Sequence, residues 1–156
     1  MDKDKTKTIL DPETVPLVEI DFMNNTHLEE LSIANALGEQ VSQYQGGDTS
    51  ENNAAKIAEL LHKWLEHTIP HFERENELMR QTSFPAYRMH SEEHEMAIKR
   101  FKAVISSWED NKDIDVISDF IFSQWPNWFN AHVNSMDMMT AKFAVMNGFD
   151  PQATVE

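Results

Sequence analysis

Cysteine is absent from the 156 residues, so neither a disulfide nor a thiolate-bound metal can form. Any metal here has to be held by nitrogen and oxygen. Glycine is scarce, at four residues, and the apolar–polar alternation of a half-buried strand is nearly missing, which points to an all-α chain. No apolar run approaches the roughly 18 residues of a membrane-spanning helix. The opening Met1-Asp-Lys-Asp-Lys-Thr-Lys7 has no apolar segment of a secretory signal. The expectation is a soluble, cytoplasmic protein without membrane contact. Bases are few as well: 13 Lys and Arg stand against 27 Asp and Glu, a net charge of −14. That balance argues against nucleic acid and anionic membranes as partners. It describes a solvated helical surface.

Four amphipathic segments can be read in order, and the length suits one domain with its own core. Residues 1–20, with Pro12 and Pro16, form an N-terminal arm expected to dock through Leu17, Val18 and Ile20. A first helix is expected over about 24–44, capped by Asn24, Asn25 or Thr26. At about 100° per residue, Leu31, Ala34, Leu37 and Val41 share a stripe with His27. Gly46 to Ser50 reads as a loop. A second helix, about 50–79, buries Ile57, Leu60, Leu61, Trp64, Thr68, His71, Glu75 and Leu78, with Pro70 as an expected kink. Pro85 suits the first turn of a third helix, whose face carries Tyr87, His90, His94, Ala97, Phe101, Val104 and Trp108. The acidic link 109–113 lacks the glycine and terminal glutamate of a calcium loop. A fourth helix, about 115–147, contains Pro126 and ends before Gly148. The expected architecture is an antiparallel up-and-down four-helix bundle over 21–148, followed by a tail at 149–156.

The buried stripes carry chemistry. His71 and Glu75 are spaced at i and i+4, as are His90 and His94, so each pair shares one helix face. His27 and His132 lie on the other two helices, and Asp137 follows His132. A lone histidine on an apolar stripe is usually a hydrogen-bonded core residue. Five of them with buried carboxylates are harder to explain, because each unpaired buried charge costs several kcal/mol. Coordination to metal removes that cost. Imidazole and carboxylate without thiolate suit iron, manganese or zinc, and bundle cores commonly hold such sites.

The order His27, then His71-Phe-Glu-Arg-Glu75, then His90-x3-His94, then His132-x4-Asp137 resembles the hemerythrin family, specifically its single-domain bacterial members. Phe84-Pro85 resembles the family's aromatic–proline link, and Trp128-Phe129 its Trp-Leu before the fourth-helix histidine. The resemblance spans about residues 18–145. It implies a non-haem centre of two iron ions, bridged by an oxo or hydroxo oxygen, that binds dioxygen reversibly. His90, His94 and His132 would hold one iron, His27 and His71 the other, and Glu75 and Asp137 would bridge them. The iron on His27 and His71 would keep a position open for dioxygen. Five residues span about 140° of ideal helix, so Asp137 is expected to reach in from the flank, and it enters the set through the family pattern.

Two residues depart from that pattern. Glu30 falls on the buried stripe where the family usually has an apolar residue lining the oxygen pocket. It reads either as a boundary residue reaching water, or as an extra ligand or proton relay at the open iron. His67, one turn before His71, is a rim residue or a group behind a ligand. His62 faces solvent, and Trp64 and Trp128 read as core packing. The nine methionines read as core filler, with Met136, near the site, open to oxidation.

The leading function is therefore reversible oxygen binding for storage, delivery or sensing, without catalysis. The alternative is an enzyme, a di-iron oxidase, peroxidase or nitric oxide-handling protein that uses Glu30. A third class is iron storage or repair, or a purely structural metal. Dioxygen is the expected partner, and no partner protein can be read from the sequence.

Overall fold

The computed structural model describes residues 9–155; Met1–Thr8 of the expected arm and the terminal Glu156 of the tail lie outside the described residues. Four helical rods make an antiparallel bundle, preceded by a short 3-10 turn at Pro12–Thr14. Helix α1 is Asp21–Gln45, α2 is Glu51–Thr82 and α3 is Tyr87–Asn111. The fourth rod, α4 (residues 114–146), is built from five consecutive helical pieces described below. Links of a few residues force each rod to run against its predecessor. Helix α1 packs on α2 and α4, and α3 on α2 and α4. Leu31, Leu37, Ile57, Leu61, Trp64, Val104, Trp108, Ile117 and Ile121 are buried between them. No helix among the described residues is long and apolar enough to cross a membrane.

Helix starts and ends differ in detail from the expectation. Helix α1 begins at Asp21, ahead of the three residues expected to cap it, and no side chain caps it. Instead the carbonyl of Pro151 accepts from the Asp21 N–H at 2.8 Å, so the C-terminal tail closes the helix end. Asn24 is turned to the arm, bonding the backbone N–H and C=O of Val18 at 2.9 Å each. Ile9, Val15, Val18 and Ile20 are buried, whereas Leu17, expected to dock, is 76% exposed. Ser50 caps α2 through the Asn53 N–H. Helix α2 then runs through Pro70 to Thr82, beyond the expected end. Pro85 precedes α3 instead of entering its first turn.

The fourth rod is the informative one. Its α-helical pieces Ile114–Asp119, Trp125–His132 and Met138–Met146 are joined by π-helical turns at Phe120–Gln124 and Val133–Asp137. The first turn precedes Pro126, and the Trp125 N–H reaches the Phe120 carbonyl five residues back. A proline inside a helix lacks one donor and crowds the preceding turn, and a π turn absorbs both defects without breaking the rod. Gly148, at φ +99°, takes the left-handed position past the end, as expected.

Candidate metal centre

Each rod brings its titratable side chains to the same end of the bundle. His27 comes from the start of α1, and His71 and Glu75 from the latter half of α2. His90 and His94 come from the start of α3, and His132 and Asp137 from the latter half of α4. All seven are buried, none more than 4% exposed. Their ligating atoms fall into two groups that share Glu75: Glu75, His90, His94, His132 and Asp137 in one, and His27, His71 and Glu75 in the other. Within each group the atoms lie within 4.8 Å of one another.

The two carboxylates connect the groups. Glu75 Oε2 is 2.9 Å from His71 Nε2, while its Oε1 is 3.1 Å from His94 Nε2 and 3.4 Å from His90 Nε2. Asp137 Oδ2 is 3.0 Å from His27 Nε2, and its Oδ1 is 3.1 Å from His90 Nε2 and 3.2 Å from His132 Nε2. Each carboxylate thus turns one oxygen to each histidine group. Asp137 manages this because of the π turn Val133–Asp137. A wider turn brings the residue five positions on back to the face of His132, so Asp137 does not reach in from the flank as α geometry suggests.

The outer edges of the rings have their own partners. His90 Nδ1 meets the Thr140 hydroxyl at 2.8 Å, His94 Nδ1 the Asn76 side-chain oxygen at 2.9 Å, and His132 Nδ1 the Glu93 carboxylate at 2.8 Å. His71 Nδ1 is 3.2 Å from Glu30 Oε1. An acceptor behind Nδ1 holds a proton there, so that the ring, once neutral, offers its Nε2 lone pair inward, the usual arrangement behind a metal-bound histidine. Asn76, Glu93 and Thr140 were not singled out by sequence reasoning. Their only signals are adjacency to Glu75, a place between His90 and His94, and spacing three residues after Asp137.

The chemistry of this donor set fits a cation. His90 Nε2 and His132 Nε2 stand 3.1 Å apart, so that with both rings neutral and their protons at Nδ1 two lone pairs would face each other, and otherwise a proton must stand where a metal ion would. His94 Nε2 and Glu75 Oε1 are 3.1 Å apart but form no hydrogen bond, and Asp137 Oδ1 is likewise without one. Buried polar atoms are almost always satisfied, so three such atoms converging on one space suit a positive ion placed between them. His27 Nδ1 is also without a hydrogen bond, and its ring packs edge-on to Phe129 at 5.5 Å.

Protonation in the bare site is set by the same contacts. Burial alone would lower His71, but Glu75 and Glu30 hold it up to about 10. Burial opposes His132 too, yet Asp137 and Glu93 raise it to about 10. For His94 burial dominates and lowers it to about 4. Burial would raise Glu75 and Asp137, but the surrounding histidines hold both carboxyls well below their ordinary values.

Glu30 is not a boundary residue reaching water: it is 2% exposed. Its Oε2 accepts from Trp64 Nε1 at 2.6 Å and lies 2.9 Å from the Thr68 hydroxyl. Its Oε1 faces His67 Nδ1 at 2.9 Å and His71 Nδ1 at 3.2 Å. The carboxylate therefore stands behind His71, on the edge away from Nε2. His67 is partly exposed and continues the chain to Glu29 at 3.2 Å. His62 pairs with Glu109 at the surface, as its helical position implies.

Aromatic rings wall the centre: Phe72 stacks on His94 at 4.0 Å and Trp128 on His132 at 4.5 Å. Trp128 thus belongs to the site's wall as well as to the core. A cavity of about 510 Å3 is lined by Phe72, Phe101, Phe120, Trp125, Trp128 and His132, among others.

Comparison with known proteins agrees with this geometry. The model of the hemerythrin HHE cation binding domain matches residues 18–144. A bacteriohemerythrin of Aquifex aeolicus (strain VF5) is 31% identical over 134 residues, covering 86% of this chain and 96% of that protein. Another, of Stenotrophomonas maltophilia (strain R551-3), is 27% identical over 124 residues, covering 80% of this chain and 74% of that protein. No solved structure matches the chain significantly. With a matched domain spanning most of its length and a buried histidine–carboxylate cluster of the right chemistry, the chain belongs to the hemerythrin family and is a non-haem iron-binding protein.

Proposed function

We propose that the protein binds dioxygen reversibly at a centre of two irons, for storage, delivery or sensing. His90, His94 and His132 would hold one iron, His27 and His71 the other, with Glu75 and Asp137 as the carboxylates shared between them. The bundle of 21–148 is the oxygen-binding unit, with 1–20 an arm and 149–156 a tail. The observation that carries this reading is the division of each carboxylate between the two histidine groups, one oxygen to each. A single ion would need only one such group.

Two irons, when bound, can each supply one electron to a dioxygen molecule. What the chain itself contributes is an unequal set of donors, three histidines on one side against two on the other, so an ion on the His27–His71 side would have fewer protein ligands. Phe129, edge-on to His27, and Phe72, 5.1 Å from the His71 ring and stacked on His94, put apolar rings against the histidines of both groups. The bacteriohemerythrin relatives support the same reading.

No observation favours the oxidase or peroxidase alternative. Its distinguishing carboxylate, Glu30, has both oxygens engaged by Trp64, Thr68, His67 and His71. The test is an absorption spectrum of the iron-loaded, reduced protein on cycling between nitrogen and air. A visible charge-transfer band that appears in air and disappears under nitrogen over several cycles is expected. A single irreversible oxidation with turnover of added peroxide would contradict the binding role.

A further inference from the structure

Glu30 occupies a position the oxygen-binding reading does not need, and its surroundings are unusually constrained. The indole N–H of Trp64 can only donate. It meets Glu30 Oε2 at 2.6 Å. Trp64 is fully buried, with Phe101 at 4.8 Å and Trp125 at 4.9 Å against its ring. Nothing in that packing lets the indole turn away. The Thr68 hydroxyl is adaptable by contrast: it lies 2.9 Å from Glu30 Oε2 and 2.8 Å from the Trp64 carbonyl, and it can donate to either. With Oε2 pinned, Oε1 is presented to His71 Nδ1 at 3.2 Å.

We infer that Glu30 is a tautomer lock, a positioning residue that keeps the one proton of neutral His71 on Nδ1 and so leaves Nε2 to the metal, while Trp64 fixes only which Glu30 oxygen faces the ring. The inference rests on the reading of His71 as a metal ligand. An ionised carboxylate offers only acceptors, so whichever oxygen faces His71 demands a donor there. A glutamine does not. Trp64 would force its amide oxygen inward, and the amide N–H2 would then face His71 Nδ1 as a donor. His71 would have to accept at Nδ1 and carry its proton on Nε2, where it blocks coordination.

The experiment follows from that asymmetry, using zinc(II) alone as the probe and a competing chelator to measure affinity. Glu30→Gln should weaken one of two zinc ions about 10- to 100-fold and leave the other near wild type. Adding Trp64→Phe to Glu30→Gln removes the donor that dictates the amide's orientation, so the lost affinity should largely return. Trp64→Phe alone should bind close to wild type. Native affinity for both ions in Glu30→Gln, or a double variant no tighter than Glu30→Gln, would overturn the lock. His71→Ala separates the underlying reading: it should lose one zinc ion, and two ions bound at wild-type affinity would overturn both. A measurement on the zinc-loaded wild type needs no variant to fold. Its histidine nitrogen–proton spectrum should show a strongly downfield proton on His71 Nδ1, and zinc on Nδ1 would overturn the lock.

Discussion

Asp137 follows His132 by five residues, yet its Oδ1 stands 3.2 Å from His132 Nε2. Regular α geometry would turn it well off that face, and the π turn at Val133–Asp137 brings it back. Since Asp137 also reaches His27 Nε2 at 3.0 Å, one side chain connects α1 with α3 and α4. Asp137→Ala should therefore weaken both metals together, on the order of 100-fold or more, since a shared ligand counts for more than the supporting groups behind it. Elemental analysis after dialysis against a chelator reads this directly. Loss of one metal with the other fully retained would show that Asp137 serves only one ion.

Loading the site should release protons. His71 and His132 sit at about 10 in the bare protein and are protonated at pH 7, whereas a metal ligand must be neutral. His94, at about 4, already is. At least two protons per chain should leave when the centre fills. Calorimetric titration with zinc(II) in buffers of different ionisation enthalpy counts them, and a heat independent of buffer would contradict the assignment.

The metal-free protein should be most stable in mildly acidic solution. Burial alone would raise Glu30, but hydrogen bonds from His67 and His71 hold it at about 2 against an ordinary 4.5. Its contribution is complete above about 4.5 and lost as pH falls towards 2. His71 works in the opposite sense: raised to about 10 from 6.5, it contributes fully below about 6.5 and fades as pH rises towards 10. The two share one network, in which Glu75 as well as Glu30 supports His71 and His67 as well as His71 supports Glu30, so the losses are coupled and do not sum. His94, lowered to about 4 by burial, adds a loss as pH falls below 6.5, so thermal melts of chelator-treated protein across pH 3 to 10 should peak near pH 6.5. A melting temperature rising steadily to pH 9 would be the contrary result.

Away from the centre, Ser83 ends α2 at φ +56°, a left-handed conformation that glycine adopts without steric cost. Ser83→Gly should stabilise the fold by about 0.5–1 kcal/mol with metal content unchanged. Denaturant unfolding of the two proteins, compared at equal metal loading, checks the sign.

The sequence made the stripes legible because burial follows the helical period. His27, Leu31 and Leu37 all point inward, and the i, i+4 pairs of α2 and α3 meet as spacing requires. What it could not convey was a change of period. A π turn leaves no mark in a pattern read at 3.6 residues per turn, so in the sequence only family likeness, not helical spacing, points to Asp137. Glu30 shows a similar limit. Its inward direction was readable, but its partners come from α2, 34 to 41 residues away, and only tertiary packing decides that Trp64 takes one oxygen while His71 faces the other. Leu17, apolar yet 76% exposed, failed because an arm without a helical period gives no face to read.

Iron counted per folded chain is the most direct test of the paired centre. Protein expressed with ample iron, and shown by circular dichroism to be helical, should carry two iron atoms per chain. One iron per chain, or iron that leaves on gel filtration while the helices persist, would contradict it.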